Sequence, residues 1–474
     1  MTEKDHSISQ RIDSPIKPFV REHFSKQLLY VAFSLVCIFI ALRLPFLDYK
    51  IQVALILVPI AALIGFYIIK NPFLGVCLFY LYDYSRPEVF FHAMRPLRIA
   101  LLIEILTLVS WILHLIKTRK LIQWPTFNWM FLAYLGVIGS TVITAMNNRM
   151  AYNVFQSTAI YFLMYLIAIN VVDSLKRLNK LIWILFLIHV LFAFKGIKGH
   201  GIAGGALMGD ENDFALAMNM MIPFAFFMFF NFKTNFKKFA ALLVLVVLVV
   251  AVVVSFSRGG WGGVIVALTY SIIKSRKIAI SLAITGVLAL AIVIAAPPRY
   301  WHEVESITDT HESTAADRLH LWKAAMRMFA DYPINGVGAN NVGIRMPEYI
   351  ISDRDSATQW GRAVHGTFPQ LMSELGSLGL ICYLLMLFTA FKHLRKIQKR
   401  EVHSPGDNSV VLANSIMGSI LSYLACATFL STTYYPQITT LYTLTMTLFL
   451  VTQYDKTINT PMSSPTLPKA AFTG

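Results

Sequence analysis

The stretch VVVSFSRGGWGG, residues Val252 to Gly263, places a permanent cation between two apolar segments. The chain is apolar from Ala240 to Val254, and it is apolar again after the glycines to about Ile273. A charged side chain deep in lipid costs about 2.5–3.5 kcal/mol on insertion scales, so such residues usually serve a function. A long side chain lowers this cost by reaching the membrane surface. The stretch therefore predicts two membrane-spanning helices with Arg258 between them.

The composition of the whole chain is that of a membrane protein. Only 14% of the 474 residues are charged and 56% are hydrophobic, whereas globular domains contain about 25% charged residues. Lipid cannot satisfy exposed backbone polar groups, so we expect helical spans and no open sheet. The net charge of +16 would suggest nucleic acid as the partner of a soluble protein. In a membrane protein, Lys and Arg collect in cytoplasmic loops, and we expect no nucleic-acid partner.

The apolar runs predict an all-α polytopic membrane protein with about 12–14 transmembrane helices. Residues 1–26 and 453–474 are expected to be cytoplasmic tails. Residues 27–296 are expected to form a transmembrane bundle, and 368–452 the C-terminal transmembrane helices. Residues 297–367 are expected to form a large loop that contains surface helices. The individual spans are predicted at 27–44, 51–69, 73–83, 97–116, 127–145, 153–172, 181–196, 214–231, 239–256, 261–273, 278–296, 368–391, 410–430 and 436–452.

Basic residues divide unevenly between alternate loops. With the N-terminus inside, the inner side carries 18 Lys and 7 Arg, and the outer side carries 4 Lys and 12 Arg. This pattern predicts cytoplasmic termini and a location on the outer side of the membrane for residues 297–367. Arg makes two-point contacts with phosphate or carboxylate, whereas Lys acts as a point charge. The arginine-rich outer side indicates a phosphorylated or carboxylated ligand there; the alternative is pairing with acidic residues of the loop.

Arg258 is the first candidate ligand-binding residue. The glycines at 259, 260, 262 and 263 remove side-chain bulk beside it, and a helix begins at the same point. The amides and dipole of a helix N-terminus attract anions. Together these features predict an anion site, although simple placement of Arg258 at the membrane interface is an alternative.

Arg318 is the second candidate, on a helix predicted from about residue 313 to 330 in the large loop. Its position beside Trp322 allows it to stack on the ring, or to be held by the ring against a phosphate. A salt bridge with Asp317 or Glu312 is the alternative. The face of this helix that we expect to pack against the bundle carries Arg318, Trp322, Ala325 and Phe329.

His365 is the candidate catalytic residue, in the stretch GRAVHGTFPQLMSELGSLGL that opens the next long span. Histidine is the usual general base at neutral pH, and Arg362 precedes it by three residues. A structural histidine at the membrane interface is the alternative. The accessory candidates are Arg362, Trp322, Asp210 and Arg345. No His, Cys, Asp or Glu grouping has convincing metal-ligand spacing, and we expect neither a metal nor a cofactor.

Three segments, taken in order and spacing, resemble the O-antigen ligase/polymerase superfamily. They are SFSRGGWGG, DRLHLWKAAMRMFADYPINGVGANN and HGTFPQLMSELGSLGL. The superfamily includes O-antigen ligases, Wzy-type polysaccharide polymerases and protein O-oligosaccharyltransferases. The resemblance covers residues 200–390 and implies a fold similar to the membrane-bound GT-C glycosyltransferases. The Asn that often follows the histidine in relatives is replaced here by Gly366.

The resemblance implies a metal-independent, inverting glycosyltransferase in the bacterial inner membrane. Its substrates would be an undecaprenyl-pyrophosphate-linked glycan and an acceptor glycolipid, glycan or protein, in contact with membrane lipids. It assigns pyrophosphate binding to Arg258 and Arg318, and activation of the acceptor hydroxyl to His365. A ligase-type reaction is the first expectation, with a polymerase or a protein transferase as alternatives. A lipid-linked glycan transporter or flippase is the non-enzyme alternative, but the polar residues cluster at one membrane face without repeat symmetry.

Overall fold

The computed structural model describes residues 31, 49–199, 201–204, 208–296, 298, 300–301, 313–351, 359–401 and 407–459. The predicted span at 27–44 and the tail at 1–26 lie outside these residues, apart from Val31, and so does most of the C-terminal tail. Each of the other predicted spans coincides with a helix. The longer helices are α1 Tyr49–Lys70, α2 Pro72–Ser85, α3 Ile99–Thr118, α4 Thr126–Thr144, α5 Asn148–Val171, α6 Leu175–Lys198, α7 Glu211–Asn231, α8 Asn235–Val254, α9 Arg258–Ser275, α10 Ile278–Ala295, α11 Ser313–Asp331, α12 Val342–Tyr349, α13 Thr367–Gln398, α14 Ser409–Ala427 and α15 Pro436–Asn459. A four-residue helix, Pro87–Phe90, and a 3-10 helix, His92–Leu97, lie between α2 and α3.

The prediction of an all-α polytopic membrane protein is confirmed. The described residues contain no strand, and eight of their helices are long and apolar enough to cross a membrane. Two shorter apolar helices occur within α1 and α10. The chain divides into two compact units, residues 1–67 and 68–474, and the helices from α2 onward belong to the second unit.

Helix α7 is the central helix of the second unit. It is the most buried of the candidate spans, and it packs against α8, α9 and α14. The Asp210 carboxylate caps its first turn by accepting from the amide of Asn212 at 2.8 Å. Asn219, buried in the middle of α7, donates to the backbone carbonyl of Gly260 at 2.9 Å. Polar contacts therefore supplement apolar packing where α7 meets α9.

The glycines of α9 provide space for neighbouring helices. A Cβ on Gly260 would lie 2.6 Å from the Cβ of Ala215 on α7. A Cβ on Gly263 would collide with Cys426 on α14 and lie 2.8 Å from the Asn219 side chain. Only Gly262 has nothing within 4 Å of an added Cβ. These glycines, which suggested a close approach to a ligand, thus allow close helix packing at 260 and 263.

Helix α13 is interrupted at Gly376, whose φ of 62° and ψ of −161° are not helical. The segment that follows α11 occupies the interruption. The amide of Val337 donates to Ser373 at 2.8 Å, and the amide of Ser377 donates to Pro333 at 2.8 Å. A side chain at 376 would strike the backbone of Ile334, so both space and the positive φ require glycine. The break ties the loop helix α11 to the start of α13.

Helix α11 packs against α13, but its buried face differs from the predicted face. The fully buried side chains are Leu321, Ala324, Ala325 and Met328. Of the predicted face only Ala325 belongs to this set, whereas Arg318, Trp322 and Phe329 are half-buried. The predicted face is displaced by about one residue from the observed buried face. The prediction centred the face on the large aromatic side chains, but these side chains lie along the edge of the observed face.

Candidate functional site

The first part of the site is the turn between α8 and α9. Only Ser255 to Ser257 separate the two helices, and Phe256 turns the chain with a φ of 56°. Ser257 caps α9 by accepting from the amide of Gly260 at 3.0 Å, and its hydroxyl donates to Asn212 at 2.7 Å. Arg258 is the first residue of α9 and is half-buried. The sequence prediction of a cation at a helix start between two apolar helices is therefore confirmed.

The second part is a group of side chains around Phe429, in the connection between α14 and α15. A Cβ on Gly259 would lie 3.4 Å from the Phe429 side chain. The Arg318 guanidinium lies 5.8 Å from the centroid of the Phe429 ring. Trp322 stacks against Phe429 with a centroid distance of 6.5 Å and an interplanar angle of 24°. Phe429 thus links the start of α9 to the loop helix α11.

Both the backbone amide and the backbone carbonyl of His365 make hydrogen bonds to side chains. Its amide donates to the Ser431 hydroxyl at 3.0 Å, and its carbonyl accepts from the Trp322 indole at 3.2 Å. Its φ of 54° lies in the left-handed region, which few non-glycine residues occupy. Such strain persists only where the surroundings impose it, and it is frequent at functional sites. The side chain itself keeps an exposed surface.

The surroundings of His365 favour its neutral form. Partial desolvation lowers the pKa of the imidazole below its ordinary value, and the positive charges of Arg318 and Arg362 lower it further. The Asp210 carboxylate opposes these effects by raising the same pKa. A neutral imidazole at pH 7 can accept a proton, which is what a general base requires. Arg318, Arg362 and Asp210 therefore lie close enough to His365 to influence its charge.

A cavity of about 720 Å³ lies beside this group. Polar side chains enter it from several helices. Gln370 donates to Glu374 at 3.3 Å and accepts from the Thr433 hydroxyl at 2.8 Å, so the polar wall on α13 is internally bonded. The lining includes Asn153, Ser157, Trp360, Arg362, Gln370, Glu374, Ser431, Tyr434 and Tyr435. Aromatic rings mixed with amides, hydroxyls and carboxylates form a surface that can both stack against a ligand and hydrogen-bond to it.

The accessory candidates have different positions. Arg362 lines the cavity, and its guanidinium pairs with the Asp317 carboxylate at 3.4 Å. Asp317 is one of the two acids considered from the sequence as a partner of Arg318. The other, Glu312, lies outside the described residues. Arg345 donates to Glu348 at 2.7 Å and to the Tyr332 hydroxyl at 3.1 Å. It is not among the cavity-lining residues, and this geometry does not bring it to His365.

Sequence reasoning missed the contribution of the connection between α14 and α15. Phe429, Ser431 and Tyr435 all lie there, and the Tyr435 hydroxyl donates to Asp213 on α7 at 3.0 Å. The only sequence signal was the polar and aromatic stretch STTYYPQ between two apolar spans. In the described part of the chain, no three His, Cys, Asp or Glu side chains are grouped closely enough to hold a metal ion.

Residues 242–384 match the family model described as O-antigen ligase. The matched segment runs from α8 to the middle of α13 and contains Arg258, Arg318 and His365. No curated protein matches the chain. The match supports the resemblance to the O-antigen ligase/polymerase superfamily, and it supports in general a ligase- or polymerase-type activity for this multi-pass membrane protein.

Proposed function

We propose that the chain transfers a glycan from an undecaprenyl-pyrophosphate carrier to an acceptor hydroxyl at the periplasmic face of the bacterial inner membrane. The observation that carries the proposal is the group of residues around Phe429. Two arginine-bearing elements and the backbone-bonded His365 meet there beside a cavity of about 720 Å³. The match to the O-antigen ligase family over residues 242–384 supports the same reaction class.

Arg258 and Arg318 bind the pyrophosphate of the donor. Phosphate oxygens accept two parallel hydrogen bonds from a guanidinium, which a lysine ammonium does not reproduce. The two side chains approach from different elements, so one diphosphate can be held from two sides. As the leaving group departs, the arginines offset its developing charge, and the reaction needs no divalent cation for this purpose.

His365 is the general base of the transfer. Its neutral imidazole takes the proton from the acceptor hydroxyl while that oxygen forms the new bond to the anomeric carbon. The bond between the anomeric carbon and the phosphate oxygen breaks, and undecaprenyl pyrophosphate leaves. A single displacement inverts the anomeric configuration. The two backbone hydrogen bonds of His365 hold its backbone in place, and Arg318 and Arg362 lie close enough to influence the charge of its imidazole.

The cavity accommodates the glycan portion of a substrate. Trp360 and Tyr434 offer ring faces to sugar C–H groups, and Asn153 and Gln370 offer amides to sugar hydroxyls. A glycolipid acceptor makes the reaction a ligation, which is our first expectation. A growing glycan would make it a Wzy-type polymerisation, and a protein Ser or Thr would make it an O-oligosaccharyltransferase reaction.

Purified protein incubated with lipid-linked glycan and each class of acceptor tests this proposal. We expect release of undecaprenyl pyrophosphate by the wild type and none above background by His365→Ala. Product analysis with each acceptor identifies the reaction type. Equal release by both proteins would exclude His365 as the base. Transport of intact lipid-linked glycan across vesicles without any release would favour a flippase.

Accessibility of cysteines introduced on the two sides tests the orientation. A cysteine replacing Trp360, which is exposed and lines the cavity, is expected to react with a membrane-impermeant reagent added from the periplasmic side. A cysteine replacing Lys237, in the first turn of α8, is expected to react only after the membrane is opened. The reverse pattern would contradict the periplasmic location of the site.

A further inference from the structure

A second large cavity lies at the end of the bundle opposite to His365. Helices α9 and α13 begin near His365, and the cavity is lined by residues near the ends of both helices and by the facing part of α14. Its volume is about 600 Å³. The Gln398 amide of α13 donates to the Tyr270 hydroxyl of α9 at 2.8 Å and connects the two helix ends across it.

The mouth of this cavity is strongly basic. Four cationic side chains, all exposed, line it: Lys274, Arg276, Arg395 and Lys399. No acidic residue is among its lining residues. Among the described residues, none of the four is ion-paired, whereas the neighbouring Arg400 is paired with Asp407. The four charges are therefore available to an anion from outside the chain.

Another part of the cavity lining is apolar. Phe391 on α13 and Met417 and Leu421 on α14 line it. Met417 and Leu421 lie within the span of α14, so this wall continues into the region that lipid chains occupy. Gly418 lets the Tyr270 ring approach α14, since a Cβ at 418 would lie 3.0 Å from that ring. The cavity thus combines a polar, cationic entrance with a hydrocarbon-lined interior.

We propose that this cavity binds an anionic phospholipid. The phosphodiester headgroup lies among the four cations, and the acyl chains extend along Phe391, Met417 and Leu421. Basic pockets between transmembrane helices suit such headgroups, because charge and hydrocarbon are recognised together. The positive-inside bias of membrane proteins explains basic residues in any cytoplasmic loop. It does not explain why these four surround a cavity with an apolar wall.

Native mass spectrometry of the detergent-purified chain, titrated with phosphatidylglycerol, measures this binding. The test variant is Arg395→Gln with Lys399→Gln. The matched control is Lys233→Gln with Lys237→Gln, because both lysines are exposed at the same end of the bundle and neither lines the cavity. Each basic residue near an anionic lipid contributes a factor of about five, so we expect about 25-fold weaker binding by the test variant only. Equal weakening by both pairs would reduce the proposal to general surface charge.

A cavity-filling variant tests the apolar wall independently of charge. Leu421→Trp is expected to abolish phosphatidylglycerol retention while keeping the monodispersity of the wild type on size exclusion. Phosphatidylcholine with the same acyl chains is expected to bind at least tenfold more weakly to the wild type. Inorganic phosphate at millimolar concentration is expected not to displace the lipid. Full displacement by phosphate, equal binding of the two lipids, or retention by Leu421→Trp would each overturn the proposal.

Discussion

The two ends of α9 both carry basic side chains, but in different surroundings. At its start, Arg258 is half-buried between two closely packed helices and adjoins the group around Phe429. At its end, Lys274 and Arg276 are exposed around an open cavity. Cations held by packing have defined directions, which suits a reaction. Exposed cations adapt to a ligand recognised by charge, which suits a lipid headgroup.

Removal of the His365 imidazole is expected to have the largest effect on the transfer rate. It also distinguishes the two ends of α9 most clearly, because only the site near its start should be affected. General-base catalysis contributes about 10²–10⁴-fold, so His365→Ala should lower the rate of glycan transfer by that order. Single-turnover assays with lipid-linked glycan measure it. Phosphatidylglycerol binding by the same variant should equal that of the wild type. A rate within threefold of wild type would remove His365 from the mechanism.

Replacement of arginine by lysine at the start of α9 tests whether the forked hydrogen-bond geometry of the guanidinium is needed there. Arg258→Lys keeps the charge and loses the forked geometry, so we expect transfer to fall about tenfold to a hundredfold. Arg276→Lys, at the other end of the helix, is the matched control and should leave transfer unchanged. Full activity of Arg258→Lys would mean that the position requires only charge.

Replacement of the α9 glycines by larger residues tests the helix packing near the start of α9. Gly263→Val should lower stability by about 1–3 kcal/mol, because its side chain would collide with Cys426 and Asn219. Gly262→Ala is the control, since nothing lies within 4 Å of an added Cβ there. Thermal unfolding in detergent measures both. Equal unfolding temperatures for the two variants would contradict the packing role of Gly263.

The smallest expected effect is a shift in pH dependence. The pKa of His365 is lowered, so the base is neutral at pH 7 and transfer should decline only as the pH falls through that pKa, below about 6.5. Arg362→Gln removes one cause of the lowering, so the acidic limb of the rate profile should move to higher pH. Arg345→Gln, whose side chain bonds Glu348, should leave the limb in place. An unmoved limb in Arg362→Gln would exclude this electrostatic contact.

Much of the architecture followed from the sequence. Apolar runs predicted the helices because lipid requires every spanning segment to satisfy its own backbone. The stretch from Val252 to Gly263 predicted a helix start at Arg258, and the structure begins α9 there. The three segments that suggested the superfamily all lie within the matched residues 242–384.

The details of the site did not follow from the sequence, because they depend on contacts between distant segments. Phe429 and Ser431 are more than sixty residues from His365 along the chain, and the polar stretch that begins at Ser431 does not show which distant residue it contacts. Periodicity misplaced the buried face of α11 because it gave most weight to aromatic side chains. The break at Gly376 could not be inferred, since an apolar helix usually continues through a glycine, as α13 does at Gly379.

The sequence alone therefore determined which segments enter the membrane, where cations interrupt them, and which superfamily the chain resembles. Those properties depend on hydrophobicity and order along the chain. The tertiary structure decided which cations meet His365, which carboxylate bonds Arg362, and which glycines serve packing. Those properties depend on how the helices pack. Folding brings α9 and α11 together around Phe429, and it leaves a basic cavity at the other end of the bundle.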